Sequence, residues 1–197
     1  MQAYQGKRAL DLLAAGTGCL VFAPLAAAIA LATVCEDGGP AFFVQSRLGS
    51  QRRPFEIVKF RSMRDGRVTR VGSWLRRTGL DELPQFVNVC RGEMSMVGPR
   101  PLTAADVQRL GWDGTQFDWR FGTKPGITGL SQLLAGRGVA ASRRLDRIYL
   151  RRQHPLLDLQ LLALSFAVNV IGKRRLRRFM RSAQCPFTGG SWSRRPP

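Results

Sequence analysis

The sequence is poor in the side chains that most often bind zinc or carry redox chemistry. Its 197 residues include a single histidine, His154, and four cysteines without a Cys-x-x-Cys pair: Cys19, Cys35, Cys90 and Cys185. This spacing argues against a zinc site or a dithiol redox site, and the cysteines are predicted to be reduced and to face the cytosol. His154 has no neighbouring partner motif, so we interpret it as a structural residue.

Acidic residues are also scarce. Asp and Glu number 13 against 31 Lys and Arg, which gives a formal net charge of +18, and only four of the basic residues are lysines. Such an excess of positive charge favours an anionic partner. Nucleic acid, an anionic membrane surface and phosphorylated small molecules all remain open. Guanidinium groups bind phosphate oxygens through two parallel hydrogen bonds, which suits phosphate recognition.

The remaining composition is typical of one folded domain. Hydrophobic residues make up 44% of the chain and charged residues 22%, which argues against wholesale disorder despite 21 glycines and 11 prolines. A length of 197 residues suits one compact domain with some additional elements.

A long uncharged segment stands near the N-terminus. The 24 residues from Leu12 to Cys35 carry no charge, and a straight helix of that length would be roughly 36 Å long, enough to cross a bilayer core. A cleaved signal peptide is one alternative, but its apolar segment is usually only about 7–15 residues long. A straight span is another alternative. It would place one of the two basic flanks, which begin at Lys7 and at Arg47, on the wrong side of the membrane.

Pro24 lies in the middle of this segment. Proline removes one helical hydrogen bond and clashes with the preceding turn, so each half would be about 12 residues, or 18 Å, and too short to cross alone. We therefore interpret the segment as a re-entrant helix-break-helix with both ends on the cytosolic side. Lys7, Arg8 and Pro24 are the residues on which this membrane hypothesis depends.

The whole chain is predicted to be a mixed, helix-rich α/β membrane-associated domain. We expect a re-entrant membrane hairpin over residues 1–35, a catalytic domain at the cytosolic face over 36–183, and a disordered tail over 184–197. Within the catalytic domain, local patterns predict two strands, two helices and two loops. They are, in that order, Ala41–Gln45, Phe55–Phe60, Asp81–Cys90, Ser142–Arg152, Gly98–Pro101 and Lys124–Gly129.

Two apolar features each have two interpretations. The apolar segment Leu156–Ile171 is followed by six basic residues within Lys173–Arg181. It is either an interfacial amphipathic helix docked on anionic lipid headgroups or a helix packed on the domain core. An aromatic cluster fits either the headgroup layer or the core. Its members are Trp112, Phe117, Trp119 and Phe121.

The adjacent acids Asp81 and Glu82 stand out among so few carboxylates. Two arginines precede them and Arg91 follows, and these basic neighbours are expected to lower both carboxylate pKa values and keep both groups ionised. Ionised carboxylates can attack phosphorus or bind Mg²⁺ together with substrate phosphates. Capping is the alternative, because Thr78-x-x-Asp81 has the spacing of a capping box at a helix N-terminus.

Two loops carry arginines in settings that suit phosphate binding. Arg100 stands between Pro99 and Pro101, whose fixed φ angles stiffen the loop. Arg137 stands between Gly136 and Gly138, which allow close backbone approach to a ligand. A plain surface turn is the alternative for each loop.

Taken in order, these segments resemble one family, the bacterial sugar transferases, which are monotopic polyprenyl-phosphate phosphoglycosyl transferases. The matching segments span about residues 7–172, and the chain resembles the small, minimal-domain form of the family. They are Lys7-Arg8 through Asp11, Pro24, Gly39-Pro40, Phe43, Gln45–Gly49, Phe55, Lys59–Met63, Leu75–Arg77, Leu80–Gln85, Asn88-Val89, Gly92–Ser95, Val97–Pro101, Pro125–Gly129 and Gly136-Arg137.

The resemblance implies a specific reaction at the cytosolic face of the bacterial inner membrane. A phosphosugar would pass from a UDP-sugar to polyprenyl phosphate, releasing UMP and starting a glycoconjugate on its lipid carrier. The resemblance also implies Mg²⁺ as cofactor, a re-entrant helix and a ping-pong mechanism. Anionic membrane lipids are expected partners, nucleic acid is not, and a homo-oligomer is left open.

The resemblance further implies roles for individual residues. Asp81 would be the nucleophile that forms a covalent aspartyl-phosphosugar intermediate, and Glu82 would hold metal or orient groups beside it. Basic residues at matching positions would bind phosphates or uridine. They are Lys59, Arg76, Arg100 and Arg137.

Three positions depart from the family pattern. Ala23 replaces a common serine before Pro24, Gly79 replaces a common serine before the acidic pair, and Gly138 replaces a frequent asparagine. Two hypotheses compete with a transferase: a nucleic-acid-binding protein, which the charge alone would favour, and a membrane scaffold of the same fold without chemistry. The uncharged segment argues against the first and the intact Asp81-Glu82 pair against the second.

Overall fold

The computed structural model describes residues 3–134 and 138–171. The helices are α1 Lys7–Asp37, α2 Arg70–Thr78, α3 Gln85–Arg91, α4 Ala104–Arg109, α5 Asp118–Phe121, α6 Leu130–Leu134, α7 Val139–Arg152 and α8 Pro155–Ile171. The strands are β1 Phe42–Leu48, β2 Pro54–Phe60, β3 Met63–Arg64, β4 Arg67–Val68, β5 Ser95–Val97 and β6 Gly126–Thr128. The expected helix-rich α/β class is confirmed. Arg137, the basic segment Lys173–Arg181 and the predicted disordered tail lie outside the described residues.

Helix α1 is long and apolar enough, by length and composition, to cross a membrane. It continues through Pro24, so the structure has one helix where the sequence predicted two. One face packs along the domain through a stripe of small and apolar side chains, which supports the helix on both sides of the proline. The members of that stripe are Ala15, Gly18, Ile29 and Thr33. The other face is exposed, with Leu20 at 79%.

Both ends of α1 are bonded to the same domain. Near its start, the buried Lys7 ammonium lies 2.8 Å from the Asp158 carboxylate of α8 and 3.0 Å from Asp11. At its end, Asp37 pairs with the Arg61 guanidinium, whose Nη1 lies 2.8 Å from Asp37 Oδ2. Glu36 accepts the first backbone N–H groups of α2. These contacts fix both ends of α1 against one body.

The strands form short pairs. β1 and β2 pair antiparallel from Phe42 opposite Phe60 to Leu48 opposite Pro54, which confirms the two predicted strands. β5 and β6 pair in parallel, so the predicted loop Lys124–Gly129 contains a strand. The missing side chain of Gly126 makes this pairing possible, because a Cβ there would collide with the backbone of Gly98.

The basic helix α7 and the apolar helix α8 form where they were predicted, and α8 has one buried and one exposed apolar face. Leu157 and Leu161 are buried in the main core with β5 and α7, while Leu156 and Phe166 on the same helix are exposed. The His154 imidazole accepts the backbone N–H of Leu157 at 3.3 Å and so caps α8, which confirms a structural role.

The aromatic cluster belongs to a second core rather than to an exposed surface. Trp112 and Phe117 stack with ring centroids 5.8 Å apart, and Phe121 is buried beside them. Trp119 is half-buried against the main core. The sequence left open whether these aromatic side chains lie in the headgroup layer or in the core, and the contacts place them in the core.

Candidate active site

The acidic pair lies in a 3₁₀ turn, Leu80–Glu82, between α2 and α3. Gly79 ends α2 with φ of 73°, a left-handed conformation that favours glycine over serine at this position. The predicted capping box is wrong. Thr78 belongs to the last turn of α2, where its hydroxyl donates to the carbonyls of Trp74 and Leu75 at 3.0 and 3.1 Å.

Glu82 is held by a lysine from the strand pair. The Lys59 ammonium on β2 donates to Glu82 Oε1 at 2.7 Å, and both side chains are partly buried. The predicted substrate-binding lysine and the predicted acid are therefore in direct contact. This ion pair fixes the Glu82 carboxylate in one orientation.

An open cavity at the protein surface lies beside this ion pair. Three cationic side chains and one carboxylate line it, so its wall has an excess of positive charge that suits an anionic ligand. The lining residues are Arg47, Ile57, Lys59, Glu82, Gln85, Arg100, Pro101, Gly126, Ile127 and Gln132. Asp81 is not among them, although it lies one residue from Glu82 in the same turn.

Asp81 does not have the lowered pKa that its basic neighbours led us to expect. Burial raises the pKa of the Asp81 carboxyl, and the negative charge of Glu82 raises it further. Lys59 and Arg76 lower that pKa without reversing the direction. The sequence shows which arginines are near Asp81. It does not show that the turn is half-buried, and this burial raises the pKa.

Arg100 is the exposed cation of the cavity, and a buried arginine holds the backbone of its loop. Its backbone carbonyl accepts the Nη2–H of Arg120 at 2.7 Å. Arg120 is itself paired with Asp146 of α7 at 3.0 Å, and both side chains are almost fully buried. The stiffness expected from Pro99 and Pro101 is therefore reinforced by a buried ion pair.

Arg76 lies in the last turn of α2, shortly before the acidic turn. Its Nε donates to Ser62 Oγ at 2.8 Å, and its charge acts on Asp81. It does not line the cavity. Among the predicted basic residues, the structure thus brings Lys59 and Arg100 to the cavity and Arg76 to Asp81.

Sequence reasoning gave no role to three polar residues of the cavity wall. Arg47, Gln85 and Gln132 come from β1, α3 and α6. Arg47 and Gln85 stand within the matching segments Gln45–Gly49 and Leu80–Gln85, which is a signal for their importance. No spacing in the sequence indicates that they meet, because only the packing of α3 on the strand pair brings them together.

Comparison with known proteins supports the resemblance. The model of the family described as bacterial sugar transferase matches residues 2–172. The chain belongs to the bacterial sugar transferase family.

Individual relatives carry names that specify substrates. An undecaprenyl-phosphate glucose phosphotransferase of Komagataeibacter xylinus is 38% identical over 85% of this chain and 36% of its own length. A UDP-glucose:undecaprenyl-phosphate glucose-1-phosphate transferase of Caulobacter vibrioides is 42% identical over 67% of this chain and 55% of its own length. A UDP-N-acetylgalactosamine-undecaprenyl-phosphate N-acetylgalactosaminephosphotransferase of Aeromonas hydrophila is 40% identical over 66% of this chain and 34% of its own length. The chain therefore spans about a third to just over half of these relatives.

The acidic pair of this sugar transferase can supply part of the ligands that Mg²⁺ needs. Among residues 3–134 and 138–171, no group of three or more His, Cys, Asp or Glu side chains could hold a metal alone. Magnesium, however, is commonly bound by one or two carboxylates together with substrate phosphates. Asp81 and Glu82 supply two adjacent carboxylates, and their mutual repulsion is what a divalent cation would relieve.

Proposed function

We propose that this sugar transferase moves a phosphosugar from a UDP-sugar to polyprenyl phosphate, giving polyprenyl-diphosphate-sugar and UMP. This reaction is the first membrane step of glycoconjugate biosynthesis, as for exopolysaccharide, lipopolysaccharide or capsule. The observation that carries the proposal is the Asp81-Glu82 turn beside a cavity lined by three cationic side chains. The names of the relatives, which specify UDP-sugars and undecaprenyl phosphate, support the same reaction.

Asp81 is the nucleophile in this proposal. In the first half-reaction, a carboxylate oxygen of Asp81 bonds to the β-phosphorus while the bond from that phosphorus to the bridging oxygen breaks. UMP leaves with the electron pair. In the second, a phosphate oxygen of the polyprenyl phosphate attacks the same phosphorus and the bond to Asp81 breaks. The carboxylate is thereby restored, and no other reactant is needed.

The cavity residues bind and orient the donor. Arg100 offers a planar guanidinium to phosphate oxygens, and Lys59 adds a second positive charge while holding Glu82 in place. Asp81 and Glu82 would hold Mg²⁺ together with the substrate phosphates, and the ion would supply positive charge that helps UMP to leave. The burial that raises the pKa of Asp81 also leaves its carboxylate less hydrated, which favours attack.

We further infer that α1 takes a re-entrant path into the cytosolic leaflet of the bacterial inner membrane. Both ends of α1 are bonded to one domain through Lys7 and Asp37, which supports this path. A straight span would place these two ends on opposite sides of the membrane, where one domain could not contact both. The exposed apolar faces of α1 and α8, with Leu20 and Phe166, would contact lipid, and basic side chains would contact anionic headgroups.

A donor screen tests the proposed reaction. The full chain, purified from membranes, is mixed with polyprenyl phosphate, Mg²⁺ and one UDP-sugar at a time, including UDP-glucose and UDP-N-acetylgalactosamine. We expect UMP release and a lipid-linked diphosphate sugar with at least one donor. Absence of UMP with every donor, or release of UDP instead of UMP, would contradict the proposal.

The membrane path has its own test. In a variant without native cysteines, single cysteines at Gln5 and Arg53 should both react with a membrane-impermeant maleimide in inverted membrane vesicles and not in spheroplasts. A cysteine at Val21, on the exposed apolar face of α1, should react only after denaturation. Labelling of Gln5 from the spheroplast side would show that α1 crosses the membrane.

Arg100→Lys should lower turnover about tenfold or more, because lysine keeps the charge but loses the paired N–H groups that bind a phosphate. The loop should stay in place, since Arg120 holds the backbone of Arg100 rather than its side chain. Membrane association and thermal stability are therefore expected to be unchanged. Arg53→Lys, which changes an exposed arginine outside the cavity, is the matched control, and equal turnover in both variants would exclude a substrate-binding role for Arg100.

A further inference from the structure

Two unpaired polar atoms belong to side chains of the same cavity wall. In the part of the chain that the structure describes, three buried side-chain nitrogen or oxygen atoms lack a hydrogen-bond partner, and Arg47 Nε and Gln85 Nε2 are two of them. Both residues line the cavity beside Lys59 and Glu82. Gln85 is only 2% exposed. Buried donors are nearly always paired in native proteins, so two unpaired donors in one cavity call for a ligand.

The rest of the Arg47 side chain is already fixed. Its Nη1 donates to the Pro101 carbonyl at 3.3 Å and to Asp106 at 3.4 Å, and its Nη2 donates to Gln45 Oε1 at 2.6 Å. The guanidinium therefore cannot turn away without losing these bonds. Its Nε–H donates to no group of the described protein and is fixed in a position where it can bond to an acceptor in the cavity.

The charges around Arg47 indicate which kind of hydrogen-bond acceptor would bind there. Burial of the guanidinium lowers the pKa of Arg47, and the positive charge of Arg100 lowers it further, while Asp106 and Glu82 raise it. Lys59 adds another cation to the same wall. An anionic group with several oxygens would relieve the repulsion and accept the unpaired hydrogen bonds together.

We propose that Arg47 and Gln85 are phosphate-contacting residues of this cavity. The Arg47 Nε–H and the Gln85 side-chain amide donate hydrogen bonds to oxygens of one substrate phosphate. The phosphate belongs either to the diphosphate of the nucleotide sugar or to the polyprenyl phosphate. In naming these two substrates, the inference rests on the proposed function. Arg47 supplies charge and a fixed donor, and Gln85 supplies a neutral donor from the start of α3.

Binding measurements separate this role from a structural one. Calorimetry on the full chain in nanodiscs uses UDP as one probe and undecaprenyl phosphate as the other, with uridine as the probe that lacks phosphate. Gln85→Met keeps the length of the side chain and removes the donor. It should weaken phosphate binding about tenfold while thermal stability stays equal or rises, because an unpaired buried group is lost. Arg47→Lys keeps the charge, lacks the Nε–H, and should also weaken binding about tenfold.

Matched controls are Gln116→Met and Arg53→Lys, which change exposed residues outside the cavity. A loss confined to UDP assigns the phosphate to the nucleotide, and a loss confined to undecaprenyl phosphate assigns it to the lipid. Unchanged affinity for both probes in both variants would overturn the inference. So would a Gln85→Met variant that loses stability and affinity in parallel while Arg47→Lys binds normally.

These outcomes are independent of catalysis. Wild-type protein that binds UDP but releases no UMP from any UDP-sugar would refute the proposed function and leave the phosphate contacts intact. Wild-type protein that releases UMP while both variants bind normally would refute only the phosphate contacts.

Discussion

Asp81→Asn is expected to abolish UMP release from the UDP-sugar when no lipid acceptor is present. Wild-type protein should release about one equivalent of UMP under these conditions and gain the mass of one sugar phosphate, because the first half-reaction of a ping-pong cycle needs no acceptor. Asparagine keeps the shape of aspartate but has no carboxylate to form the bond. Overall turnover should fall by about a thousandfold or more, as is typical when a nucleophile is removed. Intact-protein mass spectrometry and UMP quantification measure the two effects.

Two variants serve as comparisons for Asp81→Asn. Glu82→Gln keeps the nucleophile and should retain a slow burst of UMP, since Glu82 acts beside the reacting group and is held by Lys59. Asp113→Asn changes an exposed acid outside the cavity and should leave the burst unchanged. An Asp81→Asn protein with nearly wild-type turnover, or a wild-type protein without acceptor-independent UMP, would remove Asp81 from the role of nucleophile.

Asp158→Ala should destabilise the fold more than any exposed substitution. The Asp158 carboxylate is fully buried in α8 and binds the Lys7 ammonium and the hydroxyls of Tyr4 and Tyr149, each at 2.8 Å. Removing one partner of a buried ion pair costs about 3–5 kcal/mol, because the remaining charge stays buried. For a chain of this size, that loss corresponds to a fall of about 10 °C in the midpoint of thermal unfolding. Thermal unfolding in detergent measures it.

A triple variant distinguishes the buried charges from simple packing. Lys7 also pairs with the buried Asp11, so Lys7→Met, Asp11→Asn and Asp158→Leu together remove all three charges and should recover part of the lost stability. Asn at position 11 keeps an acceptor for Ser95 and Met96. Asp113→Ala is the control for loss of an exposed acid and should change the free energy of unfolding by about 0.5 kcal/mol or less. A midpoint for Asp158→Ala within 2 °C of wild type, on the order of the shift that 1 kcal/mol causes, would contradict a stabilising role for the pair.

Much of the secondary structure follows from local patterns. The two segments with strand character correspond to β1 and β2 in nearly the observed bounds, and α7 and α8 form where basic and apolar helical patterns predicted them. Local patterns did not predict the elements that depend on tertiary contacts. The three residues of β6 form a strand only because β5 lies beside them, and α1 continues through Pro24 while its flanks pack on the domain.

The electrostatics of the acidic pair were only partly predictable. Adjacency in the sequence is enough to place Asp81 and Glu82 together, and the arginines around them were correctly identified as neighbours. Their effect on the Asp81 pKa was predicted with the wrong sign, because burial depends on how the turn packs and not on which residues stand nearby along the chain.

The sequence by itself determined the family, the apolar N-terminal segment and the acidic pair, because each depends on residues that are close together or on a set of short segments in order. Only the tertiary structure decided how the cavity is built. Arg47 and Gln85 stand on β1 and α3, far apart in the sequence, and meet at one wall because α3 packs against the strand pair. Their unpaired donors exist only in that packing, since an unfolded chain would pair both with water.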